Sequence, residues 1–156
     1  MCVSGMIMMW GGDKTNIPAG WLECSGQLVS QSQYPDLFAA IGNNFGVTTS
    51  ASEFYLPDLR GRFVRGVDDG ADRDPDEASR TDMQDPTKLS SGVGSIQSHA
   101  LEQHTHGYNQ MSSGGDQVDD GSHLSNSWVA SGDADGASTS TETRPINAYL
   151  YFIIKY

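Results

Sequence analysis

Positive charge is scarce in this sequence. Nine Lys and Arg stand against 20 Asp and Glu, a formal charge of -11 over 156 residues. Binding to phosphate backbones draws on clustered Lys and Arg, so nucleic acid is excluded as an expected partner, and adsorption to anionic membranes is disfavoured on the same ground. Cysteine is nearly absent as well. Cys2 and Cys24 form no CxxC pair and are too few for a disulfide framework; both are expected as free thiols, one of them buried. Met6 to Trp10 is apolar but far shorter than the ~20 residues that span a bilayer, and no basic stretch or cleavage signature precedes it, so neither membrane insertion nor a secretion signal is expected. Also missing are a Gly-X-Ser-X-Gly elbow, a P-loop, a zinc-protease helix motif and an Asn-X-Ser/Thr acceptor. Acids are plentiful, but none sits on a segment rigid enough to hold the spaced carboxylates of a glycosidase. The expectation is a protein that is not an enzyme.

What is present suits a single α+β domain over residues 1–156, β-rich with one short helix. Gly5 to Trp10 reads as a strand, Asp13 to Gly20 as turns, and Trp21 to Cys24 as a second extended piece with Leu22 and Cys24 on one face. Tyr34, Leu37, Phe38 and Ile41 fall at i, i+3, i+4, i+7 and predict the helix. Ser32 is its expected N-cap, which puts Pro35 in the first turn, and Gly42 its stop. Glu53 to Gly66 is the densest structured segment, with Arg60 and Arg62 expected to pair structurally with acids such as Asp58 or Asp36. Arg144 to Tyr156 has strand character and closes the fold. The core is thus drawn from residues 1–70 and 143–156, around a polar insertion at 71–142.

Within that insertion Asp72, Asp74 and Asp76 alternate, but an EF-hand would need Gly and Glu where Glu77 and Met83 stand; a solvated acidic loop is expected. His104 and His106 flank Thr105, so an extended backbone projects both imidazoles to one face. A structural zinc site uses four protein ligands and a catalytic one three plus water. Two readings follow: either the pair hydrogen-bonds nearby backbone, or its missing ligands come from other chains. The tract from Tyr108 to Thr143 contains no Lys or Arg and is either disordered or a functional loop region.

Several stretches together resemble one family: GMIMMWGG with IPAGWLECSGQ, YPDLFAAIGNNFG, FYLPDLRGRFVRGVDDG, RDPDEASRT with VGSIQSHALEQHTH, and TRPINAYLYFIIKY. They are similar, in this order, to the phage tail collar domain of short tail fibres and fibre tips. The resemblance implies a homotrimer at a fibre end, in the virion after production in the host cytoplasm, attached to other tail or fibre proteins. It further implies adsorption to a host surface glycan or outer-membrane receptor. An architectural collar without receptor contact is the alternative, and a polysaccharide-degrading enzyme the rival class. For His104 and His106 it implies one axial divalent metal shared by three chains: six nitrogens suit octahedral iron(II), with zinc the other choice. Receptor contacts are then expected in the poorly matched loops, where Tyr108 and Trp128 would stack on sugar faces and Asp119 and Asp120 would accept hydrogen bonds, with His123 beside them. The competing account has the aromatics pinning a loop and the acids keeping it soluble. The chain is expected to be a separate tip subunit or a shortened fibre.

Overall fold

The computed structural model describes residues 2–100 and 146–156. The apolar N-terminal run forms β1 (Ile7–Trp10), and the extended piece after the Pro18 turn forms β2 (Trp21–Glu23). Both pair antiparallel with the last strand of the chain. Numbering in chain order, these are followed by β3 (Leu28–Ser30), α1 (Pro35–Ile41), β4 (Glu53–Tyr55), β5 (Thr81–Asp82), β6 (Ser95–Ile96) and β7 (Tyr151–Lys155). Short 3-10 turns lie at Lys14–Asn16 and Glu77–Ser79.

The first sheet has the order β1-β7-β2. Its register sets Ile7 and Leu22 opposite Ile154, and Met8 and Glu23 opposite Ile153. Directly opposed residues share a face, so Ile7, Leu22 and Ile154 line one side. On that side Leu22 and Ile154 meet the core, where Ile154 is fully buried, while Ile7 on the outer strand stays exposed. The strand expected over Arg144 to Tyr156 is found in its last part: β1 and β2 span four and three residues, so the ladder reaches only Tyr151–Lys155, and residues 146–150 are exposed and irregular.

A second sheet pairs β3 with β4 antiparallel, Val29 opposite Phe54. The helix α1 lies between them in sequence and seals the core. Leu37 and Ile41 are buried, and Tyr34 and Phe38 pack on the cluster of Cys24, Phe45, Phe54 and Leu56. At seven residues α1 is too short to persist alone, so this packing is what makes it a helix. Gly42 ends it as expected, with φ of 52° and its N-H bonded to the Phe38 carbonyl at 2.8 Å. Ser32 is not the N-cap. Tyr34 occupies that position without a side-chain cap bond, and the Ser32 hydroxyl meets that of Ser30 at 2.9 Å. Pro35 decides this, because the residue before a proline is pushed out of the helical region and the helix cannot begin earlier.

Among the described residues, 2–98 with 147–156 form one compact unit. It includes residues 71–98, which composition assigned to the polar insertion; there β5 pairs with β6. The cysteines are free thiols, Cys2 exposed and Cys24 buried. Burial, assisted by the charge of Glu23, pushes the Cys24 thiol up to about 12.

Candidate functional site

After β4 the chain is buried at Leu56 and Pro57 and then leaves the core. Main-chain bonds from Gly26 to the Pro57 carbonyl (3.0 Å) and from Leu59 to the Cys24 carbonyl (3.1 Å) fix the point of exit. Arg60 then turns back on Asp58, its Nε and Nη2 each donating at 2.8 Å to one carboxylate oxygen. This fork holds the Asp58 carboxyl below its usual range, chiefly through the Arg60 hydrogen bonds. The expected structural pairing of Arg60 is thus present, with Asp58 as the partner.

Gly61, at φ of 66°, redirects the backbone. From Arg62 to Asp68 there is neither turn nor bend nor strand, and every residue from Gly61 to Val67 is exposed. Phe63 and Val64 are 66% and 64% accessible. No main-chain group from Phe63 to Val67 has a hydrogen-bond partner among the described residues. The stretch taken from sequence as the densest structured one is therefore in two parts: a buried half to Pro57 and an exposed strip beyond it. Apolar content alone did not separate them, because Phe63 and Val64 look as core-like as Phe54 and Leu56.

The far end of the strip is anchored electrostatically. Arg65 donates to the Arg73 carbonyl at 3.2 Å and lies 3.6 Å from Asp74. Asp74 is buried and also accepts from Arg80, whose Nε is at 2.9 Å and whose Nη2 makes a second, close contact. Gln97 joins the cluster through the Asp76 carbonyl at 2.9 Å. The Arg80 hydrogen bonds are the main reason the Asp74 carboxyl sits below its usual range. Asp74, read from composition as part of a solvated acidic loop, is instead the buried centre of a salt-bridge cluster. The sequence signal was there in the arginines at 65, 73 and 80, which bracket it.

The second exposed apolar surface is β1, an outer strand of its sheet. Met6, Ile7, Met8 and Met9 are all exposed, Met9 at 65%. The Lys155 N-H bonds the Met6 carbonyl at 2.9 Å, so by antiparallel alternation Met8 and Trp10 face β7 through their main chain, while the N-H and C=O groups of Ile7 and Met9 point outward. A surface depression of about 560 Å³ is lined by Pro75, Glu77, Ala78, Leu89, Ser90 and Ser91.

His104, His106, Tyr108, Asp119, Asp120, His123 and Trp128 lie outside the described residues. Among the described residues no three His, Cys, Asp or Glu side chains gather as metal ligands, His99 is exposed, and no helix is long and apolar enough to cross a membrane.

Residues 5–64 match the Phage Tail Collar Domain. That span carries a phage tail collar domain. The collar domain runs from the turn before β1 to the exposed Val64, and so takes in β1 to β4, α1 and the start of the strip. Among its relatives, Protein RhiB of Rhizobium leguminosarum bv. viciae is 36% identical over 143 residues, covering 88% of this chain and 64% of RhiB. The uncharacterized protein StfE of Escherichia coli (strain K12) is 37% identical over 90 residues, 58% of this chain and 37% of its own. The short tail fiber protein gp12 of Enterobacteria phage T4 is 34% identical over 107 residues, 65% of this chain and 20% of gp12. The chain thus spans less than two thirds of the length of each of these three relatives.

Proposed function

We propose that this protein, through its collar domain, is a noncatalytic tail-fibre component that assembles as a homotrimer and mediates adsorption to the host surface. The observation that carries the assembly is the exposed apolar surface of the described unit: β1 and residues 61–67 present Met8, Met9, Phe63 and Val64 to solvent, in a protein whose relatives include a short tail fiber protein. Apolar side chains exposed together along a segment, as in each of these two, mark an interface. Receptor contact belongs in this reading to the loops carrying Tyr108, Asp119, Asp120, His123 and Trp128, by aromatic stacking on sugar faces and hydrogen bonds to hydroxyls. His104 and His106 contribute two imidazoles per chain, and three chains supply six nitrogens, a donor set that fits an octahedral divalent ion such as iron(II). The ion's part is to hold the chains together.

The test is adsorption by purified protein. Wild-type protein is expected to bind host cells or their isolated surface glycan, and Trp128→Ala to bind more weakly while keeping the mass of three chains. No binding by wild-type trimer to either would overturn the adsorption reading and leave the architectural one, in which the apolar surface serves contacts within the tail. Elemental analysis is expected to find one metal per three chains, lost in His104→Ala; a metal-free trimer would remove the ion from the account.

A further inference from the structure

We infer that residues 62–67 act as a β-strand that has no sheet partner among the described residues of its own chain, and that they add to the open edge of β1 in a neighbouring copy. This rests on the trimer reading and specifies its contact.

Two features described above are complementary. One is the strip: without helix, turn or bend, exposed throughout, bounded by Gly61 at φ of 66° and Asp69 at φ of 48°, with main-chain donors and acceptors from Phe63 to Val67 that have no partner among the described residues. The other is the outer edge of β1, where Ile7 and Met9 offer a donor and an acceptor each. At ~3.3 Å per residue the four residues of β1 extend about 13 Å and the strip about 20 Å, so the strip covers the edge completely. Gly66 has open space around it, which leaves room for an approaching backbone. Exposed edges with apolar side chains on both faces are templates for a further strand.

Symmetry chooses the partner segment. If β1 paired with β1 of another copy the contact would be two-fold and would close at a dimer; a ring of three needs two different surfaces, one donated and one received. The strip and the β1 edge are such a pair. Charge favours the same occupant. Arg60 and Arg65 are already paired with Asp58 and Asp74, but Arg62 lies on the strip as a cation in a chain of net charge -11, which draws the strip to another copy of this acidic protein, and β1, which bears no charge, raises no opposition.

The experiment uses the full chain with Cys2→Ser, Cys24 being buried. Met9→Cys is combined in turn with Phe63→Cys, Val64→Cys, Arg65→Cys, Gly66→Cys and Val67→Cys, which covers both faces and several registers; directly opposed Cβ atoms lie ~4.5–5.5 Å apart, close enough to be bridged. Mild oxidation followed by a non-reducing gel is expected to give covalent trimers for at least one pair and none for the single substitutions. Val64→Pro, which removes a donor at a solvent-exposed position, is expected to shift the mass from three chains to one with an unchanged circular dichroism spectrum. If wild-type protein is a trimer by light scattering, yet no pair cross-links and Val64→Pro stays trimeric, the strand addition is wrong and the trimer stands. Dimers from Met9→Cys alone would show β1 pairing with itself and overturn the inference; a wild-type monomer overturns the trimer with it.

Discussion

Replacing Phe54 by Ala probes the joint from which the strip projects. Phe54 is fully buried in β4, opposite Val29, with its ring tilted at 51° to that of Phe38 and the centroids 5.2 Å apart. Truncating a buried Phe to Ala costs ~3–5 kcal/mol in lost transfer energy and cavity, and loss of the ring pair accounts for ~0.5–1.5 kcal/mol of such a change. The upper half of that range is expected here, because Leu37 and Leu56, both in the same cluster, are fully buried too and have no slack with which to collapse into the void. Urea unfolding at fixed protein concentration, followed by Trp fluorescence, is expected to show the midpoint falling with little change in slope. A shift of roughly 10 °C in thermal unfolding would accompany it. Phe63→Ala is the contrast: its side chain is mostly in water, so the dilute protein should change by less than ~0.5 kcal/mol. Equal losses at the two phenylalanines, or a loss below ~1 kcal/mol at Phe54, would refute the division into a buried anchor and an exposed strip.

The two thiols should titrate as one: Cys2 reacts with a disulfide reagent in the native protein, while Cys24, buried and pushed up to about 12, reacts only after unfolding, and two fast thiols in native buffer would contradict its burial. Gly94→Ala is expected to destabilise by at least ~1–2 kcal/mol, because the position has φ of 87° and a Cβ there would run into the Asn44 carbonyl; thermal melts against Gly66→Ala, which has open space, provide the comparison. Acid sensitivity follows from Asp58 and Asp74, both held below the usual carboxylate range by arginine. A depressed carboxyl contributes stability above its unfolded value of ~3.9 and loses it as pH falls through the folded value, so Asp74→Asn should cost more at pH 7 than at pH 3, and an equal cost at both would detach the cluster from the pH response.

Periodicity served best where one side of an element faces the core. The stripe of Tyr34, Leu37, Phe38 and Ile41 located α1 because a short helix has nothing but its buried face to hold it, and alternation at Trp21 to Cys24 put Leu22 and Cys24 on one face, which is the face that meets the core. It failed where burial and apolarity part company: Met8, Met9, Phe63 and Val64 carry the residues of a core but are not in this chain's core. The cap at Ser32 was misplaced because the conformational restriction before Pro35 outweighs a favourable hydroxyl. Composition read Asp74 as solvated, since a single buried ion pair leaves no trace in an average over acids, glycines and serines. The short β5–β6 pair was invisible for a similar reason, having two residues in each strand and no room for a pattern.

The place of β7 between β1 and β2 bears on how the molecule is made. Both outer strands are synthesised early, and the strand that joins them follows only after the chain has passed from Glu23 to Tyr151. Until then two apolar edges have no ladder to join, and closing so distant a pair is intrinsically slow. Nascent or truncated chains should therefore be sticky, prone to mispair with one another while the centre of the sheet is missing. Expression yield and solubility will depend on the final residues out of proportion to their number.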